Sequence, residues 1–530
     1  MDRVTAFSIH RGAMSRSARD RADEGMVRWA LDRMSGPGSA SREGGGCGFR
    51  GGGNARFYCT GRGGPDRRAG TDRADRRRTS ASRYNGGLIR SVRPGPLLER
   101  SMSSSANSRP TASFWQNPLA ASFLIAYPSI AVLVHGGASS AFLAAAAVSL
   151  IVLVWSGRHG FHDFALQRGD IALCVALAGP LAAVIVSSLW HGHIVARTWD
   201  SPSRFIAGIP LFLMLRRQGR NALQWADLSF AFGALASFAL AVLLPRDWGD
   251  GRIGSPFLNP IHFGDTALVL GVLSVISLNW WRRDPRAVRV LKVAALFAGF
   301  GASLLSGSRG GWVAVPVVAL IIVFARGRGK SWHRNALLAS AIVVALGGTY
   351  VFSGTVRDRM GDIPSDIASY AQGHKDTSVG IRLQLYEAAF RLIGRQPVFG
   401  LGDDGFRDQM KSLAQQGMIT PLAAKFGEGE THNQLLAYTA NYGVLGGVLL
   451  LGIYVVPIWY FALRLNAPLD ATRRSALMGL AFAVSFLIFG MTVETFDLKS
   501  TVSFYVAVTA VLAAATVDAG RPSRQSRGAD

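Results

Sequence analysis

The sequence predicts an all-α, polytopic integral membrane protein. The chain has 530 residues, is 49% hydrophobic, and combines a mean hydropathy of +0.23 with a formal net charge of +24. A chain that is both apolar and strongly basic suggests a membrane protein first and a nucleic-acid binder second. Beyond Pro118, apolar runs of about twenty residues alternate with short polar breaks, as bilayer-spanning helices require.

Residues 1–112 form an Arg/Gly-rich extension that we predict to be disordered. Up to Arg109 the chain has 22 Arg, no Lys and 10 acidic residues, and its few apolar residues cannot bury enough surface to offset the entropy of ordering. An RNA-binding arm would need more aromatic residues between its glycine and arginine repeats, and a targeting peptide would avoid acidic residues. We favour translated upstream sequence, with Met102 as a candidate start, and expect no nucleic-acid partner.

The remaining chain predicts about twelve transmembrane helices, nine within 113–353 and three within 433–517. Two of them, 203–215 and 312–325, are short for a bilayer and could be tilted or partly re-entrant. The predicted spans are 119–135, 138–155, 171–190, 203–215, 223–244, 262–281, 290–305, 312–325, 335–353, 436–463, 475–494 and 499–517.

The polar breaks predict the orientation of these spans. Alternate breaks are rich in arginine, for example "RRQGR" (216–220) and "RRDPRAVR" (282–289), whereas the breaks between them are much poorer in basic residues. Because positive loops stay in the cytoplasm, we expect both termini, including the tail 518–530, to be cytoplasmic. The long loop at 354–432 is then periplasmic, and loops of that length are usually functional.

No metal or cofactor site is predicted. Cys47, Cys59 and Cys174 form neither a disulfide framework nor a zinc pattern, and the "HGH" at 191–193 lacks a third ligand at suitable spacing. "GLGDDG" (400–405) formally matches a dinucleotide fingerprint, but no βαβ unit surrounds it, so we interpret it as a turn.

Two arginines on the predicted outer side are candidate ligand-binding residues. Arg309 lies in "LLSGSRGGWVAV" (304–315), between two apolar runs, where it either snorkels to the interface or serves function. Arg382 lies near the start of a predicted amphipathic helix, 380–394. A cation is disfavoured at that end by the helix macrodipole, so Arg382 is placed there for a ligand or is simply a solvated charge.

A third outer segment, "GEGETHNQLLAY", runs directly into an apolar helix. His432 and Asn433 stand at the helix start, after Glu428 and Glu430. A helix N-terminus suits a phosphate or a developing oxyanion, and imidazole can accept a proton from a hydroxyl. The alternative is that His432 and Asn433 merely cap the helix. Within this helix, Gly443 and Gly447 are interpreted as a small-residue pair for helix packing.

These motifs together resemble those of the O-antigen ligase superfamily. The resemblance rests on "SGSRGGW", "GIRLQLYEAAFRLIGRQPVFGLGDDGF" and "THNQLLAYTANYGVLGGVLLL", in this order around a long outer loop, and on "GRIGSPFLNPIHFGD" (251–265) before them. It covers about residues 203–456. The superfamily includes lipopolysaccharide O-antigen ligases, polysaccharide polymerases and pilin-type O-oligosaccharyltransferases.

The resemblance implies a GT-C-like glycosyltransferase of the bacterial inner membrane with a periplasmic active site. Its donor would be a glycan on undecaprenyl pyrophosphate, transferred without metal or other cofactor to lipid A–core or to a growing glycan, among membrane lipids. Arg309 and Arg382 would bind the pyrophosphate, with Arg204 as a further candidate, and His432 would be the catalytic residue. Asn433 and Glu430 would support it.

Other functions fit parts of the pattern. A flippase or transporter would also have about twelve helices, but we find neither internal repeats nor polar residues in mid-span. A scaffold of an export complex would not need Arg309, Arg382 and His432 on one face. Within the enzyme class, polymerase and protein O-oligosaccharyltransferase share the donor chemistry with the ligase, which we favour slightly.

Overall fold

The computed structural model describes residues 118–157, 166–218, 223–249, 251–327, 333 and 354–517. The whole predicted extension 1–112, with the candidate start Met102, lies outside the described residues, as do the predicted span 335–353 and the tail 518–530.

The described chain is almost entirely helical, as predicted. A single two-residue antiparallel ribbon pairs β1 (Arg246–Asp247) with β2 (Ile253–Gly254), and a 3-10 turn spans Gln224–Asp227. The helices before the long loop are α1 (Pro118–Leu133), α2 (Gly137–Gly157), α3 (Arg168–His191), α4 (Ala196–Gln218), α5 (Ser229–Leu243), α6 (Pro260–Ile276), α7 (Arg286–Ser306), α8 (Arg309–Trp312) and α9 (Ala314–Gly327). Those that follow are α10 (Gly354–Ala371), α11 (Ser378–Arg395), α12 (Gly405–Gln415), α13 (Pro421–Gly427), α14 (Gln434–Ala462), α15 (Asp470–Gly490) and α16 (Lys499–Ala514).

Six of the described helical segments are long and apolar enough to cross a membrane: Gly137–Trp155, Arg168–His191, Gln224–Leu243, Arg286–Ser306, Gln434–Ala462 and Asp470–Gly490. Four shorter apolar helical segments coincide with other predicted spans: Ala121–Leu133, Pro260–Ile276, Arg309–Ala325 and Lys499–Ala514. The predicted span 203–215 lies within α4, which contains two prolines and several charged residues. A helical membrane protein is therefore confirmed, while the number of about twelve spans stays a prediction.

The loops lie at two ends of the helix bundle, and different charged residues pair at each end. At one end, Arg216 pairs with Asp170 at 2.9 Å, and the fully buried Lys292 pairs with Asp227 at 2.7 Å and Asp284 at 3.0 Å. Buried charges persist only when they are paired in this way.

At the other end, the start of α4 meets the loop between α15 and α16. Ser201 donates a hydrogen bond to the Asp497 carbonyl, and Lys499 pairs with Asp200. The sequence assigned these two segments to one side of the membrane, and in the structure they lie together.

The long loop folds into four helices, α10 to α13, with an apolar cluster of its own. Leu385, Ala389, Phe406 and Met410 are buried in that cluster, together with Ala440 of α14. The predicted amphipathic helix 380–394 is confirmed as α11. Its predicted apolar face is wrong, because Leu383 and Phe390 are exposed and the face that carries Leu385 and Ala389 supplies the cluster instead. This packing fixes α11, and with it Arg382, against the start of α14.

Helix α14 is broken at Gly443, which has φ +71° and ψ −177°. A turn-forming segment, 397–402, occupies the break: Val444 N–H donates to Pro397 O at 2.7 Å, and the N–H groups of Leu401 and Gly402 donate to carbonyls of α14 at 3.0 and 2.9 Å. The broken backbone thus keeps its hydrogen bonds, which a membrane helix requires. The interpretation of Gly443 as a helix-packing residue is therefore wrong, whereas "GLGDDG" is a turn, as predicted.

We expect Gly443→Ala to destabilise the protein by roughly 1–3 kcal/mol, because this backbone conformation is essentially restricted to glycine. A Cβ at position 443 would also lie 2.0 Å from the Val398 carbonyl oxygen. The apparent melting temperature of the detergent-solubilised protein measures the effect. Gly452→Ala in the same helix is the control, since its Cβ would meet only ordinary contacts. Equal melting temperatures for the two variants would contradict the proposed constraint.

Candidate functional site

The turn that carries Arg309 is held against the start of α6. Ser308 Oγ donates a hydrogen bond to Asp265 Oδ1 at 2.8 Å, and both residues are buried. Gly311 allows this approach, since a Cβ there would lie 2.2 Å from the same carboxylate oxygen. Small residues around Arg309 therefore let two helix ends meet closely, and the guanidinium is presented from a fixed turn.

The Arg309 side chain is mostly buried, with 21% of its surface exposed. Its Nη2 atom lies 3.6 Å from Oδ2 of Asp362, a half-exposed residue of α10. Next to it, Gly310 packs against Thr492, because a Cβ at 310 would lie 2.3 Å from the Thr492 hydroxyl oxygen. Arg309 thus lies beside the loop between α15 and α16.

Arg382 lies on α11, whose Tyr386 contacts the same loop at Met491. The helix begins at Thr377, whose hydroxyl accepts a hydrogen bond from Gly380 N–H at 3.1 Å. Arg382 is half-buried and lies one turn before Tyr386. Among the described residues, no carboxylate pairs with the Arg382 guanidinium. A half-buried cation without a carboxylate is suited to an anionic ligand.

Tyr386 ties these segments together. Its hydroxyl lies 3.0 Å from the His432 carbonyl oxygen and 3.1 Å from the Met491 carbonyl oxygen, and it can donate to either. Burial raises the pKa of Tyr386 above its ordinary value, and the positive charge of Arg382 only partly offsets this effect. The hydroxyl therefore stays protonated and remains a donor at neutral pH.

His432 stands just before α14 in a left-handed backbone conformation, with φ +59°. Its Nδ1 atom lies 2.7 Å from Glu430 Oε1, and only 14% of its side chain is exposed. Asn433, not His432, caps the helix: its side chain accepts hydrogen bonds from the N–H groups of Leu435 and Leu436, each at 3.0 Å. The imidazole is therefore free of the capping role and is held instead by a carboxylate.

Glu494 extends this contact into the loop between α15 and α16. Its carboxylate accepts a hydrogen bond from Thr431 N–H, and its own N–H lies 3.5 Å from Glu430 Oε2. Burial raises the pKa of Glu494 to about 7. Burial also acts to raise the pKa of Glu430, but the contact with His432 outweighs it and lowers that pKa below the ordinary value. Glu430 is thus the ionised partner of His432.

The arrangement combines fixed positive charge with a group that can accept a proton. Arg309 and Arg382 supply donors that suit phosphate oxygens. His432 Nδ1 faces Glu430, so Nε2 is the nitrogen that would receive a proton from a hydroxyl. Such a site can bind an anionic leaving group and assist attack by an alcohol.

Arg204, the further candidate, lies in different surroundings. Its guanidinium pairs with Asp200 of the same helix, and its side chain is buried. Among the described residues, no recorded contact joins Arg204 to Arg309, Arg382 or His432. A role for Arg204 at the phosphate stays a prediction, and the structure gives it a partner that a ligand would have to displace.

The structure brings three predicted residues to one loop and adds two that the sequence did not suggest. The segments that carry Arg309, Arg382 and His432 contact residues 491–494, through Gly310, Tyr386 and Thr431 respectively. Tyr386 and Glu494 were missed. The only signal for Glu494 is a carboxylate at the last residue of the predicted span 475–494, whereas Tyr386 was interpreted as part of the apolar face of α11.

Comparison with known proteins agrees with these motifs. Residues 293–451 match the family profile described as O-Antigen ligase. An uncharacterized protein of Haemophilus influenzae is 28% identical over 308 residues, which cover 57% of this chain and 75% of that protein. An O-antigen ligase of Escherichia coli is 21% identical over 223 residues, 39% of this chain and 51% of that protein. The resemblance to the O-antigen ligase superfamily is thereby confirmed.

The raised pKa of Glu494 predicts a loss of stability as the pH rises. The folded-state pKa is about 7, against 4.5 for the ordinary carboxyl group. Between these values the folded protein retains a proton that the unfolded chain has released, so the free energy of unfolding falls as the pH rises. We expect the apparent melting temperature of the solubilised protein to fall over this interval, and to fall less in Glu494→Gln.

The exposed carboxylate Glu387 provides the control for this measurement. Glu387→Gln should keep the wild-type dependence of melting temperature on pH. Identical dependence in wild type and Glu494→Gln would show that Glu494 does not hold a proton in the folded protein.

Proposed function

We propose that this protein is a membrane glycosyltransferase that moves a glycan from an undecaprenyl-pyrophosphate donor to an acceptor hydroxyl. The favoured reaction is ligation of O-antigen to lipid A–core at the periplasmic face of the bacterial inner membrane. The observation that carries the proposal is the convergence of Arg309, Arg382 and His432 at one loop. The family match over 293–451 supports an enzyme of the ligase or polymerase type in a membrane.

In the proposed reaction, the acceptor oxygen attacks the anomeric carbon of the donor glycan. The bond from that carbon to the pyrophosphate oxygen breaks, and the electron pair leaves with undecaprenyl pyrophosphate. The proton of the acceptor hydroxyl passes to His432 Nε2. Because negative charge develops on the leaving oxygen, the two arginines stabilise the transition state more than the bound donor, which is what accelerates a reaction.

Three neighbouring residues would position His432. Glu430 orients the imidazole and stabilises its protonated form. Tyr386 contacts the carbonyl of His432, and Asn433 fixes the first turn of α14 by capping it. These residues act through His432 and need not touch either substrate.

We expect His432→Ala to lower transfer by about 10²–10⁴-fold, the usual contribution of a positioned acid or base. The measurement is a gel of surface polysaccharide and of lipid-linked glycan from cells that carry only the variant. Long polymer retained on the lipid carrier, with bare lipid A–core, supports ligation. Accumulated single repeat units would support a polymerase instead. Unchanged pools, with normal amounts of inserted protein, would contradict the proposed function.

We expect Arg382→Lys to weaken transfer by tenfold or more, although the positive charge is kept, since lysine cannot form the planar pair of hydrogen bonds to phosphate oxygens. One tenfold step corresponds to about 1.4 kcal/mol of transition-state stabilisation. Arg391→Lys on the same helix is the control: Arg391 is half-exposed, pairs with the exposed Glu387 at 2.6 Å and lies 3.6 Å from the sulfur of Met418. Equal activity in the two lysine variants would remove Arg382 from the phosphate site.

A further inference from the structure

A polar cavity lies beside the candidate site. It has a volume of about 360 Å³ and is bounded by the start of α4, the start of α12, the first half of α14 and the loop between α15 and α16. Cavities that hold small-molecule ligands have volumes of roughly 300–1,000 Å³. Arg309, Arg382 and His432 are not among the residues that line the cavity. The cavity is therefore distinct from the candidate site.

The charges in this cavity balance one another. Arg407 lies 3.4 Å from Asp404 and 3.4 Å from Asp497, and Lys499 pairs with Asp200. Each cation therefore already has a carboxylate. A phosphate would have to compete with those carboxylates, whereas an uncharged ligand that both donates and accepts hydrogen bonds can bind to paired charges of both signs.

Aromatic rings form another part of the wall. The rings of Tyr438 and Tyr442 meet edge to face, with centroids 4.7 Å apart, and both line the cavity. Asn441, between them in sequence, adds an amide to the lining. Tyr442 is buried, and Tyr438 is the partly exposed ring of the two. A partly exposed aromatic ring next to paired charges and an amide suits a sugar, which has apolar C–H faces and a rim of hydroxyl groups.

The cavity reaches the His432 segment through Glu494. Glu494 lines the cavity, and its carboxylate accepts a hydrogen bond from Thr431 N–H, one residue before His432. Arg382 approaches the same segment from another side, since Tyr386, one turn later on α11, contacts the His432 carbonyl. A displacement at an anomeric carbon needs the attacking oxygen and the leaving oxygen on different sides of that carbon. Arg382 and the charge-balanced cavity approach His432 from different sides. The leaving oxygen and the attacking oxygen can therefore lie on different sides of the anomeric carbon.

We propose that this cavity binds uncharged, hydroxyl-rich sugar residues of the acceptor glycan and directs its attacking hydroxyl towards His432. The assignment rests on the proposed glycosyltransferase function for the identity of the acceptor. The binding of sugar by the cavity can be tested without it.

Two variants test the cavity by different means. Asp497→Asn removes one carboxylate of the paired set, and Thr198→Trp fills space in the cavity from the first turn of α4. In the full-length protein reconstituted with lipid-linked donor and with lipid A–core, we expect both variants to raise KM for the acceptor by about tenfold, in line with the loss of a hydrogen bond to a charged group. KM for the donor should stay at the wild-type value. Glu387→Gln, on the exposed face of α11, is the matched control and should leave both constants unchanged.

The outcomes separate the two proposals. Wild-type acceptor KM in both variants would overturn the assignment, and a raised KM for the donor alone would place the donor glycan in the cavity instead. A binding assay uses core oligosaccharide released from lipid A by mild acid, with the melting temperature of the solubilised protein as the readout. If wild-type protein transfers no glycan but is stabilised by this oligosaccharide, and the variants are not, the glycosyltransferase function fails while the sugar site stands. If the oligosaccharide stabilises wild type and both variants equally, the sugar site fails.

Discussion

The break in α14 at Gly443 is the constraint on which the arrangement of the site depends. A helix among apolar neighbours can be interrupted only where its freed backbone groups find new partners. Here the partners come from 397–402, which donate to and accept from the backbone of residues 440–444. These hydrogen bonds join the helical segment 354–433 to the bundle about two turns after the start of α14. The position of His432, eleven residues before Gly443, follows from that junction.

From this junction, residues far apart in the chain come together. Arg382 enters on α11, which packs on the start of α14, and Arg309 enters on a turn held by Asp265. The loop at 491–494 receives both, through Tyr386 and Thr492, and supplies Glu494 behind Glu430. The cations therefore meet a site whose own carboxylates are already engaged by His432 and by Thr431 N–H. Arg309 pairs with Asp362, whereas Arg382 pairs with no carboxylate among the described residues, so Arg382 is the cation best placed for an anionic ligand. In the cavity beyond Glu494, Arg407 and Lys499 each pair with a carboxylate.

Much of the architecture could be predicted from the chain because it follows from local composition. Apolar runs of bilayer length predicted most of the helices, and the helical spacing of Leu383, Tyr386, Phe390 and Ile393 predicted the extent of α11. That spacing did not predict the buried face of α11, since Leu383 and Phe390 are exposed. Order along the chain also allowed Arg309, Arg382 and His432 to be singled out together. Asn433 was predicted to be a helix cap or a residue that supports the site. Its two hydrogen bonds at the start of α14 show that it caps the helix.

The sequence by itself determined the class of protein, the separation of basic from less basic loops, and three residues of the candidate site. These features follow from composition and from the spacing of residues along the chain. They can therefore be recognised without knowing which segments contact one another. Only the tertiary structure decided that Gly443 breaks a helix and that Glu430 holds His432. It also decided that Glu494 connects the site to a cavity and that Arg204 pairs with Asp200. Each of these depends on a contact between side chains or backbone groups brought together by packing, and a glycine, a glutamate or an arginine looks the same in the chain whether that contact exists or not.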